Sequence, residues 1–387
     1  MTQLLSDELL ARIHSRAARY DRENAFFTED LDELAAAGYL LSFLPAELGG
    51  LDASLVEVAE AQSRLAAAAP ATALAVNMHL VWTGVARLLR RRGDTGLAEV
   101  ERRAAAGEVL AFGISEAGND LVLFGSDTVA EPDGAGGYSF TGTKIFTSLA
   151  PAWTTLGVTG LDSTSPDGPK IVYALVSREG VTTHDDWDTL GMRASQSRTT
   201  VLEGAHAPAG GVLRRLDPGP NADPLVFAIF AVFESLIASV YTGISGRALE
   251  LAVDGVTRRR SKRTGAPLAD DPDLRWRLAD AAIAHDALWP QIATVAADVE
   301  NGVDRGTQWF RTLVGLKTRA TETARVVVDQ AIRVSGGSSY FSQNELSRLY
   351  RDVLAGIFHP SDPESAHSTV ATALLGPVGT SRTESRA

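Results

Sequence analysis

The sequence of 387 residues predicts an α+β multidomain fold, in which an all-β domain lies between two all-helical domains. Apolar residues recur with the helical period of about 3.6 residues over positions 1–108. Over 109–212 they alternate, as is typical of strands. From 225 to 378 the chain returns to long amphipathic segments, which predict a four-helix bundle.

The N-terminal all-α domain, 1–108, divides into helical segments separated by polar turns. Ser6 is suited to cap the first helix, because its hydroxyl can accept a hydrogen bond from a backbone N–H of the first turn. The turn at 45–50 begins with proline, ends with two glycines and interrupts the helical pattern. The predicted helices are 7–22, 31–37, 55–68, 71–91 and 96–106.

The middle domain, 109–212, is predicted to be an all-β sandwich or barrel, since Gly, Pro, Asp and Ser separate its alternating segments. A linker is expected at 213–224, where proline, glycine and aspartate cluster. The predicted strands are 109–114, 125–130, 137–147, 154–159, 170–177, 187–193 and 198–204.

The C-terminal domain, 225–378, is expected to form a bundle of four long helices around a shared apolar core. The predicted helices are 225–258, 272–301, 303–334 and 344–377. The last residues, 379–387, are polar and are predicted to be a disordered tail, because a chain end without apolar side chains gains little by docking.

Charge and cysteine content restrict the possible partners. The formal net charge is −12, so the chain lacks the basic surplus that neutralises nucleic-acid phosphates. Without cysteine it has no disulfides, thiolate ligands or cysteine nucleophile, and no spacing of His, Asp and Glu suggests a metal site. The charged amphipathic N-terminus lacks the apolar core of a signal peptide, which makes cytoplasmic localisation the expectation.

One apolar run is long enough to cross a bilayer. Residues 225–246 carry a single charge, Glu234. The carboxylate in the middle of the run, the serines and glycines in its second half and the lack of a second such segment favour a buried helix over a membrane span. No membrane association is therefore expected.

The stretch from 109 to 148 holds the strongest functional signal. It begins with an apolar strand, continues into the turn Ser-Glu-Ala-Gly-Asn-Asp at 115–120 and ends in the strand 142–148, which carries two hydroxyls at its end. Small residues let backbone amides approach a ligand, and hydroxyls can donate hydrogen bonds to it. These residues leave two interpretations open, a site for a flat polar cofactor and an ordinary β-meander with polar turns.

Several motifs follow the order of the acyl-CoA dehydrogenase superfamily, which the sequence resembles over about residues 5–377. The turn at 115–120 is similar to the family's Thr-Glu-Pro-Gly-x-Gly-Ser-Asp, and the strand at 142–148 is similar to Gly-x-Lys-x-Trp-Ile-Thr-Asn. Segments 190–195, 333–340 and 346–352 resemble later family motifs. The resemblance implies the helix–β–helix architecture, FAD as cofactor (or FMN in a monooxygenase) and a homodimer or homotetramer.

The resemblance also implies which residues hold the flavin. Thr147 matches a threonine that donates a hydrogen bond near flavin N5, and Asn119 takes a position that contacts substrate. The residues expected at the flavin ring are Phe112, Ile114, Ser115, Ile145, Phe146 and Thr147. Those expected at the pyrophosphate and adenine end, reached across a dimer interface, are Arg260, Arg333, Val334, Gly336 and Gly337.

Two residues compete for the catalytic role. Glu234 matches the base of the isovaleryl and long-chain branch, and a carboxylate alone in an apolar run has a raised pKa, as a base requires. Its structural alternative is an ion pair with a buried arginine such as Arg247. His359 lies in a loop where flavin-dependent monooxygenases of this fold carry a histidine. His79 either contacts substrate or packs in the core.

The resemblance implies a flavin-dependent oxidoreductase. The first expectation is α,β-dehydrogenation of an acyl-CoA or related acyl thioester, with Glu234 as base and an electron-transferring flavoprotein as oxidant. The alternative is a reduced-flavin-dependent monooxygenase or N-oxygenase with His359 catalytic and a flavin reductase as partner. A third interpretation is a flavin-free scaffold without catalytic activity, since the turn at 115–120 lacks the family's Pro-Gly.

Overall fold

The computed structural model describes residues 3–119, 121, 123–376 and 378. Asp120, which belongs to the predicted turn, and the predicted tail 379–387 lie outside the described residues. Within them the predicted fold class is confirmed, because a helical region is followed by a β-sheet region and then by a second helical region.

Capping side chains define the starts of two N-terminal helices. The Ser6 hydroxyl accepts a hydrogen bond from the backbone N–H of Leu9 (3.2 Å), and Ser54 and Glu57 form a reciprocal capping box. In the described part of this region the helices are α1 (Asp7–Glu23), α2 (Thr28–Ala36), α3 (Leu55–Ala68), α4 (Pro70–Arg90) and α5 (Ala98–Ala105).

The middle region consists of β1 (Leu110–Gly113), β2 (Val129–Pro132), β3 (Tyr138–Thr147), β4 (Thr155–Asp162), β5 (Lys170–Val176), β6 (Val181–Thr183), β7 (Arg198–Ala207) and β8 (Val212–Leu216). Over the described residues these strands form one sheet in the order β6-β7-β3-β2-β4-β5-β8, with β1 parallel to β4. The backbone N–H of Ile145 donates to the carbonyl of Ser115 (2.9 Å). This hydrogen bond holds the turn after β1 against the end of β3.

The predicted linker at 213–224 was wrong in part, because most of β8 lies within it. Leu213 and Leu216 are buried and the strand pairs with β5. The two intervening residues, Arg214 and Arg215, make the stretch polar in composition. The strand is also too short for its alternation to be recognised next to the proline and glycine that follow.

The predicted strand at 187–193 is a loop. It packs against α10 (Glu345–Val353), where the backbone N–H of Met192 donates to Asp352 (2.6 Å). Gly191 approaches so closely that a Cβ there would overlap the main-chain carbonyl of Arg351. Contacts with the C-terminal helices, which no local pattern reveals, thus replace strand pairing. The sheet edge is formed instead by β6.

The other C-terminal helices are α6 (Pro224–Arg258), α7 (Pro272–Asp286), α8 (Leu288–Glu300), α9 (Gln308–Ser335) and α11 (Pro363–Leu375). The second and fourth predicted helices are each divided in two. Pro290 lacks the N–H that would bond the Asp286 carbonyl and its ring would clash with that carbonyl, so α7 ends there. Pro363 occupies the first turn of α11, where a missing N–H costs little.

Helix α6 is the core helix of the C-terminal region. It packs against α3, α4 and α9. It is long and apolar enough to cross a membrane, but 83% of its most apolar window is buried inside the protein. Burial among other helices therefore accounts for its apolar composition.

Gly243 allows the close approach of α6 to α3. A Cβ at this position would overlap the backbone oxygen of Ser63. Because a main-chain oxygen cannot rotate away, we expect Gly243→Ala to lower the free energy of unfolding by about 1–3 kcal/mol through overpacking. Chemical denaturation measures the change. The control is Gly255→Ala on the same helix, where the nearest atom is 3.9 Å from the added Cβ. Equal stability of the two variants would contradict this account.

Candidate active site

A cavity of about 410 Å³ lies where the sheet region meets the C-terminal helices. Its walls come from α4, the turn after β1, the end of β3, the loop 187–192, α6, the segment 354–361 and α11. Binding sites for small molecules have volumes of roughly 300–1,000 Å³ and mostly apolar walls with a few polar groups. The cavity has both the size and the composition of such a site.

Glu234 lies on α6 and lines the cavity, with 1% of its surface exposed. Ser361 donates to its Oε1 from the backbone N (3.3 Å) and from Oγ (3.0 Å), while Oε2 has no hydrogen-bond partner among the described residues. Burial raises the pKa of Glu234 above its usual range, against the opposing effects of Lys317 and Ser361. Arg247 bonds Glu345 instead (3.0 Å), so the alternative of an Arg247–Glu234 pair does not occur.

Lys317 on α9 is buried near this carboxylate and was not identified from the sequence. Its ammonium donates to the carbonyl oxygens of Gly356 (3.1 Å), His359 (2.9 Å) and Ser361 (2.8 Å). Burial lowers the pKa of Lys317 below its usual range, although the Glu234 charge opposes the shift. An ammonium has three donors, so all of them hold the loop that carries His359.

His359 lines the same cavity. Its Nε2 lies 2.8 Å from the hydroxyl of Tyr241. Burial, together with the charge of Lys317, lowers the pKa of His359 to about 3, so the imidazole is neutral at neutral pH. Burial also raises the pKa of Tyr241 well above its usual range, which keeps the phenol protonated. The neutral imidazole carries one ring proton, and the Tyr241 hydroxyl either donates to Nε2 or accepts from it according to the tautomer.

The residues expected at the flavin ring are only partly brought together. Phe112, Ile114, Ser115 and Phe146 line the cavity. The Ile145 side chain does not line it, and the Ile145 backbone N–H donates a hydrogen bond to the Ser115 carbonyl. The sheet region thus supplies aromatic, aliphatic and hydroxyl groups to one wall of the cavity.

Thr147 also lies outside the cavity lining, contrary to the expected contact with flavin N5. It is fully buried, and its hydroxyl has no partner among the described residues. Side chains alternate along a strand, so Phe146 and Ser148 line the cavity while Thr147 points away. Spacing could have revealed this, because counting from Lys144 aligns Phe146 with the Trp and Ser148 with the Thr of the family motif.

Ser148 belongs to a chain of hydroxyls that the sequence analysis missed. Ser148 and Ser195 each lie 2.7 Å from the hydroxyl of Ser197. Ser148 and Ser197 both line the cavity. Because a hydroxyl both donates and accepts, the chain can orient a proton toward a bound ligand.

An ion pair braces the turn beside the cavity. Lys144 Nζ lies 2.6 Å from Glu116 Oε1, with both side chains buried. The backbone N–H groups of Asp127 (2.8 Å) and Thr128 (2.9 Å) also donate to Glu116. Burial alone would raise the pKa of Glu116, but Lys144 and the hydrogen bonds outweigh it and lower the pKa to about 2. The pair ties β3 to the residues before β2.

Asn119 and His79, expected to contact substrate, do not line the cavity. The Asn119 amide donates to Glu116 (2.8 Å) and so closes the turn. His79 is buried with both ring nitrogens in use: Nε2 lies 2.9 Å from the Leu40 carbonyl, and Nδ1 accepts from the backbone N–H of Leu110 (3.1 Å). Burial lowers the pKa of His79 to about 4. In the structure it joins α4 to β1, which agrees with the core-packing alternative.

The residues expected at the pyrophosphate and adenine end are Arg260, Arg333, Val334, Gly336 and Gly337, and none of them lines the cavity. They lie at the C-terminal ends of α6 and α9. Arg259 joins the two ends by donating to the carbonyl of Ser335 (2.6 Å). The two segments therefore form one cationic, glycine-containing surface outside the cavity.

Comparisons with known proteins agree with this geometry. Residues 3–99 match the acyl-CoA dehydrogenase N-terminal domain, and residues 235–361 match the acyl-CoA dehydrogenase C-terminal domain. An amino sugar nitrososynthase from Streptomyces rubradiris is 30% identical over 373 residues, which are 92% of this chain and 84% of that protein. A dibenzothiophene monooxygenase from Mycolicibacterium goodii is 27% identical over 380 residues, 92% of this chain and 89% of that one.

A solved structure shows the same similarity. KijD3, in complex with FMN and dTDP-3-amino-2,3,6-trideoxy-4-keto-3-methyl-D-glucose, superposes with a TM-score of 0.85 at 30% identity, covering 95% of this chain and 91% of its own. The fold, the two domain matches and the relatives place the chain among flavoprotein oxidoreductases. The chain belongs to the acyl-CoA dehydrogenase superfamily.

Proposed function

We propose that this protein is a reduced-flavin-dependent monooxygenase, and more specifically an N-oxygenase. The observation that carries the proposal is a neutral His359, bonded to Tyr241, in the cavity that also holds Phe112 and Phe146. The nitrososynthase and monooxygenase relatives support this activity over the acyl thioester dehydrogenation expected first.

The cavity residues suit a flavin, either FMN or FAD. Phe112, Ile114 and Phe146 provide walls against which a flat ring can stack, and the hydroxyls of Ser115 and Ser148 can bond its polar edge. A reduced flavin held there would supply two electrons for the activation of dioxygen, so that an amine would become a hydroxylamine and the second oxygen atom would leave as water.

The residues of this chain would position the substrate and control protons. His359 would carry one ring proton at neutral pH and could donate it in a hydrogen bond to the oxygen that leaves as water. Tyr241 fixes the imidazole, and Lys317 fixes the loop that carries it. Pre-organised donors of this kind lower a barrier because they need not reorient during the reaction.

Dehydrogenation of an acyl thioester is the second candidate, and Glu234 is the observation that favours it. A buried carboxylate with a raised pKa on the cavity wall has the properties of a base for α-proton removal. The Asn119 amide, however, is used within the turn that was expected to contact substrate. Under this candidate an electron-transferring flavoprotein would be the partner, whereas the first candidate requires a flavin reductase.

A homodimer or homotetramer would complete the flavin site. The cationic surface of Arg260 and 333–337 would then reach the phosphates of a flavin bound in the neighbouring protomer. Tyr340 and Phe341, which follow this surface, are 91% and 60% exposed. Exposed aromatic side chains beside a binding surface are typical of a protein interface and support this arrangement.

Two reactions discriminate between the candidates. We expect anaerobic mixing of the oxidised-flavin protein with a panel of acyl-CoA thioesters to leave the flavin absorbance unchanged. We expect reduced flavin, ¹⁸O₂ and an amine panel to give a hydroxylamine that carries one labelled oxygen, detected by mass spectrometry. Flavin bleaching by a thioester would establish the second candidate instead. A protein that binds neither FMN nor FAD would overturn both.

A further inference from the structure

Resting on the proposed N-oxygenase function, we propose that the substrate is an amine with an apolar body and no phosphate, and that Glu234 binds its nitrogen. Oxygen transfer assisted by His359 does not by itself require Glu234, and the proposal gives Glu234 a role in binding the substrate. It also separates this protein from KijD3, whose complex contains a dTDP-linked amino sugar.

The first argument is the free oxygen of Glu234. Ser361 bonds Oε1, and Oε2 has no partner among the described residues. Lys317 does not occupy Oε2, because its three donors hold carbonyl oxygens of the loop. A buried carboxylate oxygen without a partner is costly, and a donor supplied by a ligand removes that cost. An amine or ammonium nitrogen is such a donor.

The second argument concerns the positively charged side chains of the described cavity wall. Arg351 is the single guanidinium or ammonium group among the described lining residues. It bonds the Asp21 carboxylate (2.9 Å) and the Leu190 carbonyl (2.9 Å). Because this cation is already paired, the described wall offers no free positive charge to a diphosphate. A nucleotide-linked or CoA-linked substrate would have to place its phosphates away from this wall, whereas an amine without phosphate would need no such second site.

The third argument is the apolar remainder of the wall. Leu74 and Met78 on α4 face the cavity, as do Phe230, Phe233 and Ile237 on α6. Phe233 stacks on Phe112, with 6.2 Å between the ring centroids. Burying an aliphatic or aromatic body against such a wall contributes roughly 25 cal/mol per Å² of apolar surface. This part of the wall therefore suits an apolar body beside the polar contact at Glu234.

The carboxylate also suits the chemistry of the nitrogen. Oxygen transfer needs a lone pair, which an ammonium lacks. Glu234 can accept one proton from the ammonium, giving a neutral amine and a carboxylic acid, with no change in the total charge of the pair. The amine is then oxidised by two electrons: reduced flavin and dioxygen give it one oxygen atom, and water and oxidised flavin are the other products.

The test measures binding, so it does not depend on turnover. Isothermal titration of the oxidised-flavin protein compares benzylamine, 2-phenylethylamine and cyclohexylmethylamine with the three corresponding alcohols and with a dTDP-linked amino sugar. We expect at least one amine to bind about 10- to 100-fold tighter than its alcohol, as for a hydrogen bond to a charged group. We expect Glu234→Gln to remove that advantage and to leave alcohol binding unchanged. The control, Glu364→Gln, removes an exposed carboxylate of α11 outside the cavity wall.

Each outcome decides the proposal. Equal binding of every amine and its alcohol, an amine advantage that survives in Glu234→Gln, or tighter binding of the dTDP-linked sugar would each overturn it. Flavin content confirms that Glu234→Gln is folded. If the amine advantage depends on Glu234 but no labelled hydroxylamine forms, then the proposed N-oxygenase function fails while the binding site stands.

Discussion

Replacing His359 by phenylalanine should lower the rate of product formation by about 100- to 10,000-fold, the usual contribution of a positioned acid or base. Phenylalanine fills a similar volume but has no proton to share and no bond to Tyr241. Oxidation of reduced flavin by dioxygen should continue, with hydrogen peroxide formed in place of labelled product. The measurement is the ratio of product to peroxide in the variant and the parent protein.

Two further variants test whether the loss of product comes from His359 itself. Tyr241→Phe removes the partner of His359 but keeps the imidazole, so we expect a smaller decrease in product. His206→Phe on β7 changes a half-exposed histidine that pairs with Asp133, and it should leave the product ratio unchanged. Normal product formation by His359→Phe would exclude this residue from the chemistry.

The activity should also lack the acid limb that a histidine usually causes. Any loss that comes from protonation of Glu234, whose pKa is raised by burial, should persist in the His359→Phe residual rate. A free histidine titrates near a pKa of about 6.5, but burial and Lys317 lower the pKa of His359 to about 3. Lowering the pH from about 8 to about 6 therefore does not protonate it. A loss of activity in this range that is absent from the His359→Phe residual rate would contradict the assignment.

The second large effect concerns stability. Lys144→Met should lower the free energy of unfolding by about 3–5 kcal/mol, because it leaves the Glu116 carboxylate buried without its cation. The hydrogen bonds from Asp127 and Thr128 remain, but they do not neutralise the charge. Chemical denaturation measures the loss. Flavin affinity should fall as well, since Glu116 braces the turn that carries Ser115.

Two comparisons test the origin of this effect. The double variant Lys144→Met with Glu116→Gln removes both charges and should be more stable than Lys144→Met alone. Lys170→Met breaks the pair with Asp217, whose side chain is 75% exposed, and should cost at most about 1 kcal/mol. If Lys144→Met is no more destabilising than Lys170→Met, the buried pair is not a structural brace.

The sequence pattern predicted the type of secondary structure correctly where buried residues recur with a single helix or strand period. The change from helical spacing to alternation at about residue 109 predicted the order of helical, β and helical regions. Pro290 shows the limit of that approach, since it divides a helix that the apolar period alone extends. The strand β8 was hidden for the opposite reason, because two arginines interrupt a very short alternation.

Lys317 illustrates a functional residue that the sequence could have flagged. It lies four residues after Leu313 and three before Ala320, both buried on the same face of α9. A lysine on an apolar helix face needs buried acceptors. The acceptors include the loop backbone carbonyls of Gly356 and His359, which lie 39 and 42 residues away in the chain. Their identity follows from the packing of α9 against that loop and from nothing local.

The sequence by itself determined the class of fold, the isolation of Glu234 in an apolar helix and the family motifs around Lys144, because these depend on period, composition and spacing. Only the tertiary structure decided which side chains share a cavity. In the structure Glu234 and His359 line the same cavity, and Ser148 lines it in place of Thr147. Both ring nitrogens of His79 form hydrogen bonds within the core. The reason is physical: a side chain's partners depend on how elements distant in the chain pack, and the linear pattern does not record that packing.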